Sequence, residues 1–147
     1  MERTPLQLPE VFPFETRLEV RISDINYGGH VGNDALLALL QEARLQFLAT
    51  RGWSEKDVGG CGLTMVEAVV QYRAQAFRGD VLRVAVAPGG LERIGFDLFY
   101  RVTRENDGAE IARARTAMVF FDYARQRVAR MPASFRDIWQ DSQRRTA

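Results

Sequence analysis

The chain is poor in the residues that build metal sites and covalent cross-links. It has one cysteine, Cys61, and one histidine, His30. An intramolecular disulfide is excluded, and a lone thiol fits a reducing, cytoplasmic setting. A zinc site of the usual Cys/His kind would need more ligands than these two. Charge of one sign is also scarce: the net charge is +1. A nucleic-acid or anionic-membrane binder would show a basic excess or stripe, so neither partner is expected. Met1 to Glu10 carries no apolar signal core. The most apolar run starts at Ala35 but is interrupted by Gln41, Glu42, Arg44 and Gln46, too polar and too short for a membrane span. There is no internal repeat and no linker. The 147 residues fit one domain, residues 1–147, with a core at about 15–132 and a C-terminal helix or tail at 133–147.

What is present is a change of hydrophobic period. Glu15 to Ser23 alternates, with Leu18, Val20 and Ile22 on one side, as a half-buried strand does. Asp24 to Asn33, DINYGGHVGN, is a glycine-rich turn. Asn33 or Asp34 can cap the helix that follows. Asp34 to Arg51 reads as that helix, apolar almost all round and so covered on most sides, with Gly52 as its C-terminal stop. Period two then returns over Gly62–Gln75, Val81–Ala87, Ile94–Val102 and Ala109–Tyr123, joined by turns at Gly79-Asp80, Pro88-Gly89-Gly90 and Glu105–Gly108. A short strand at Arg127–Met131 and a helix from Ala133 close the chain. One strand, a buried helix and then antiparallel strands define an α+β domain, a curved sheet of five to six strands wrapped around one helix. Such a sheet leaves edges, and edges pair, so a homodimer is expected, with a tetramer left open.

The run from Val20 to Arg44, VRISDINYGGHVGNDALLALLQEAR, resembles the signature of the 4-hydroxybenzoyl-CoA thioesterase family of hot-dog proteins. The matching residues are Asp24, Gly29, His30, Val31, Asn33, Glu42, Ala43 and Arg44. Gly79-Asp80, the Phe96 strand, Ala112 to Phe121 and Pro132 continue the resemblance over nearly the whole chain. It implies a hot-dog fold and hydrolysis of a small to medium or aromatic acyl-CoA to free acid and thiol. Coenzyme A then enters as part of the substrate, with no separate cofactor. The pattern departs at two places: Asn26 stands where many members carry the catalytic aspartate, and Gly32 replaces an asparagine. The plant acyl-carrier-protein thioesterases are similar in placing a glutamate where Glu42 stands.

Thioester hydrolysis needs an attacking water or carboxylate and a stabilised oxyanion. The first amides of a helix suit the oxyanion, and the family uses the amide at the position of Asn33; Gly29 and Gly32 belong to the same loop. These glycines would serve equally to turn strand into helix. Asn26 cannot take a proton and can only orient or polarise. Glu42, in a helix apolar on most sides, is expected to be partly buried and to act as base or nucleophile, with Asp24 orienting it. The plain alternatives are a solvated or ion-paired Glu42 and an Asx-type turn at Asp24. His30 would polarise the carbonyl or position water, and Tyr27 would close over the acyl group. Phe47, Phe96, Leu98, Phe120 and Phe121 are the expected acyl wall. Arg73, Arg93, Arg101, Arg113 and Arg115 are strand arginines able to meet coenzyme A phosphates. Cys61, between glycines and far in sequence from His30, is a poor nucleophile. Two further readings stay open: an enoyl-thioester hydratase, from Asp24, Asn26 and His30, and a non-catalytic acyl-thioester-binding protein, from Asn26.

Overall fold

The computed structural model describes residues 3–146, with side chains through Gln140. Strand β1 (Phe14–Glu19) leads through a 3₁₀ turn at Ile22–Asp24 into helix α1 (Asn33–Ala49). Strands β2 (Gly62–Tyr72), β3 (Val81–Gly89), β4 (Gly95–Arg104), β5 (Glu110–Asp122) and β6 (Arg127–Val128) follow, and α2 (Ala133–Thr146) ends the chain. The antiparallel sheet has the order β1-β3-β4-β5-β2, with β6 pairing the end of β5. This is the curved sheet around a long helix that the resemblance implies. Among the described residues, no helix is long and apolar enough to cross a membrane.

Alternation fixes which face of each strand meets the helix. Leu82, Val84 and Val86 of β3 and Phe96, Leu98, Tyr100 and Val102 of β4 are buried, while Arg83 and Arg101 stand outside. The chain turns earlier than its pattern suggests at β1: Val20 is buried, but Ile22 is 69% exposed because the 3₁₀ turn rotates it outward. The last strand is only Arg127–Val128. Gly52 does stop α1, with φ +73°: its amide donates to Ala49 O and that of Trp53 to Leu48 O. The N-cap is Gly32, not Asn33 or Asp34.

Helix α1 is covered on one side only. Leu36, Leu39, Leu40, Ala43, Arg44, Phe47 and Leu48 are buried, whereas Leu37, Ala38, Gln41, Glu42 and Leu45 are exposed. High overall apolarity therefore did not mean burial all round. The expected acyl wall, apart from the partly buried Phe121, is core as well. Helix α2 inserts Phe135 and Trp139 against it: Phe135 lies 4.3 Å from Phe96 and 5.5 Å from Phe120 between ring centroids, and Trp139 lies 5.3 Å from Phe47. Leu98 is fully buried, and Phe121 packs against Tyr123. The C-terminal segment fills the space that sequence alone left open for a ligand.

Candidate active site

The loop before α1 is held by its own backbone. The Asn26 amide donates to His30 O at 2.9 Å, Gly29 to Asn26 O at 3.1 Å, and Gly32 to Asp24 O at 3.0 Å. Val31 donates to Ala76 O at 2.8 Å, fastening the loop to the connection between β2 and β3. Gly29, at φ +83°, makes the turn that most residues avoid. At Gly32 a Cβ would lie 2.7 Å from Asp34 Oδ1, so a larger residue there would have to turn the exposed Asp34 side chain aside. The Gly29 and Gly32 amides are thus already used. The first intrahelical bond is Leu36 N–H to Gly32 O, and no side chain caps the end. The Asn33 amide, at the positive end of the helix, has no hydrogen-bond partner among the described residues.

Asn33 lines a pocket of about 280 Å³ together with His30, Tyr72 and Arg73, with Leu36, Ala76, Leu82 and Ile111 as its apolar part. His30 Nδ1 is 3.0 Å from Val31 O. A carbonyl only accepts, so Nδ1 carries the hydrogen, and the neutral tautomer that this selects has its lone pair on Nε2. In that tautomer Nε2 can accept a hydrogen bond. Asn26 Oδ1 accepts from Gly28 N–H at 2.9 Å, which leaves the Asn26 NH₂ free to donate. A Cβ on Gly28 would lie 3.3 Å from Asn26 Oδ1 and 3.4 Å from His30 Nε2. The two side chains therefore flank one point, which glycine keeps clear. Tyr72, which the sequence reading left unassigned, donates its hydroxyl to Asn33 O at 3.0 Å. Burial, and then the negative Asp34, push its phenol above the ordinary value, so it remains a donor.

The remaining expected residues lie elsewhere. Asp24 is buried, but its Oδ2 accepts the Arg21 amide at 2.9 Å: it is a turn residue. Glu42 is exposed and accepts from Gln46 Nε2 at 3.1 Å. Both line a separate groove of about 560 Å³ between β1 and α1, with Arg17 and Arg21. Tyr27 points fully into solvent. Arg73, Arg101 and Arg113 pair with Glu110 at 3.6, 3.2 and 2.7 Å, and Arg115 pairs with Glu67 at 3.1 Å. Only Arg73 of these also edges the pocket. Cys61 is half-buried in the turn before β2.

A helix wrapped by one antiparallel sheet, with an open amide at its first turn, defines a hot-dog protein. A sequence model of the thioesterase-like superfamily matches residues 20–138, and the chain belongs to that family. A thioesterase from Thermus thermophilus, complexed with coenzyme A and Zn, is similar in structure: 26% identity, TM-score 0.78, covering 90% of this chain and 95% of that one. A 1,4-dihydroxy-2-naphthoyl-CoA thioesterase from Synechocystis is 24% identical, with TM-score 0.78 over 87% of this chain and 96% of that one. A gentisyl-coenzyme A thioesterase is 21% identical, with TM-score 0.75 over 86% and 99%. A search of curated proteins returns no match.

Proposed function

We propose that the chain hydrolyses an acyl-CoA at the first turn of α1, and that the open Asn33 amide beside His30 carries this reading. The thioester carbonyl oxygen sits at the Asn33 amide, where the helix dipole favours the negative charge that develops on attack. Water lies between the Asn26 amide and His30 Nε2, and His30 takes its proton. The hydroxide adds to the carbonyl carbon. The tetrahedral intermediate then expels the thiolate of coenzyme A, which needs no strong acid, and His30 returns its proton to bulk water. The apolar lining of Leu36, Ala76, Leu82 and Ile111 receives the acyl methylenes nearest the carbonyl. The similar structures named for aromatic acyl-CoA substrates support this class of substrate.

The working unit in this reading is a homodimer. Strand β2 ends the sheet with one side unpaired, and Met65, Val66, Glu67 and Ala68 along it are all exposed. Leu37 and Leu45 of α1 are exposed, and Leu37 lines a groove with Met65 of β2. The test is thiol release from acyl-CoAs ranging from acetyl to palmitoyl, with aromatic members included. Turnover of any member above the spontaneous rate supports the reading. Binding without release would favour an acyl-thioester-binding protein instead.

A further inference from the structure

A second groove, of about 350 Å³, lies between α1 and the sheet and is lined by Leu37, Leu40, Gln41, Arg44, Met65 and Thr116, among others. Its α1 residues continue from the proposed reaction centre. Asn33, Leu37, Leu40 and Arg44 are spaced i, i+4, i+7 and i+11, one stripe of a 3.6-residue helix. Strand β2 runs alongside: Tyr72 bonds Asn33 at one end and Met65 lines the groove at the other. Thr116 of β5 pairs with Ala68 of β2. Paired residues share a face, so it is the small, exposed Ala68 that leaves the groove open over Thr116.

The floor of this apolar groove is polar and buried. Arg44 is 5% and Thr116 1% exposed, and Tyr100 is fully buried. Arg44 Nε donates to Glu55 Oε1 at 2.8 Å and Nη1 to Tyr100 OH at 3.1 Å. Tyr100 OH lies 2.8 Å from Thr116 Oγ1. Arginine can only donate, so Tyr100 accepts from Arg44, and either hydroxyl of the Tyr100–Thr116 pair can be the donor between them. At Arg44 the remaining N–H groups have no partner among the described residues, and at Thr116 the hydroxyl keeps bonding capacity to spare. Both residues line the groove. Arg44 offers only donors, and Glu55, which also lines the groove, balances its charge.

We infer that this floor is a binding site for a neutral acceptor oxygen, a hydroxyl or oxo group, carried on the acyl part away from the thioester. The inference rests on the thioesterase reading for its substrate and adds Arg44 and Thr116 as the residues that select it. The acyl part runs from Asn33 down the α1–β2 seam, and a second copy paired at β2 would roof it.

The test is equilibrium binding of non-hydrolysable S-alkyl-CoA thioethers in matched pairs, plain and ω-hydroxylated, from hexyl to decyl. The hydroxylated member should bind about tenfold tighter at one chain length. Thr116→Ser should keep this preference and Thr116→Val should remove it. Ala68→Leu, on the exposed edge, should remove it without touching the core and so serves if Thr116→Val fails to fold. Equal Kd values within every pair, or a preference that survives Thr116→Val, would overturn the inference. If the preference is found but the corresponding thioesters are not hydrolysed, the oxygen site stands and the thioesterase reading falls.

Discussion

Asn33 and Glu42 stand on opposite sides of α1: nine positions separate them, two and a half turns, and they line different depressions. A base at Glu42 cannot serve the Asn33 amide within one chain. His30, in the same pocket as Asn33, can. His30→Gln should therefore lower kcat by about 10²–10⁴. Glu42→Gln should change it by a few-fold at most. A loss of two decades in Glu42→Gln would mean that a second copy carries Glu42 into the pocket.

Gly28 tests the point between Asn26 and His30. An alanine methyl would need its neighbours to give by a few tenths of an ångström. Misplaced reacting groups are costly even when the fold is intact, so Gly28→Ala should lower kcat by about tenfold or more. Steady-state kinetics beside a thermal melt check this, with the melt nearly unchanged.

Phe135 separates core from ligand wall. It is fully buried among Phe96, Phe120, Trp53 and Trp139. Phe135→Ala should cost about 3–5 kcal/mol in urea unfolding. The order of preference among acyl chain lengths should stay as in the wild type, because these rings line neither the Asn33 pocket nor the Arg44 groove.

Glu105 sets part of the acid stability. The Arg17 guanidinium, bonded to it at 2.6 and 2.7 Å, and Arg83 hold its carboxyl at about 2, against an ordinary 4.5. A carboxyl with a lower pKa when folded stabilises the fold above the unfolded value, and that contribution is lost as pH falls through the folded value. Between pH 4.5 and 2, Glu105→Gln should lose less stability than the wild type, as measured by denaturant unfolding at each pH.

The sheet was legible because period two is a local signal: the inward residues of β3 and β4 follow directly from alternation. The glycine loop and the helix start were legible through turn chemistry. What stayed hidden depends on contacts distant in sequence. Eleven apolar residues among fifteen made α1 look enclosed, yet β2 leaves one side of it bare. Nothing local marks Phe135 as the ring that fills the Phe96–Phe120 space. Arg44 looked like one more helix charge. Its partners Glu55 and Tyr100, and Thr116 bonded in turn to Tyr100, come from three later segments, and only the fold brings them together. Tyr72 was readable as a strand residue, but its bond to Asn33 spans 39 positions.

Asn33 offers the most direct test of the reaction centre. Its amide is at the first helical position, where proline is well accepted, and Gly32 already has the extended geometry proline asks of its predecessor, φ −68° and ψ 153°. Asn33→Pro therefore deletes the N–H, together with the side-chain amide that Asn33→Ala removes alone, and keeps the helix start. Thiol release from the best acyl-CoA should fall by about 10²–10³ in kcat, with the melting temperature close to wild type. Wild-type kcat in a folded Asn33→Pro would contradict the account, because the carbonyl would then be polarised elsewhere.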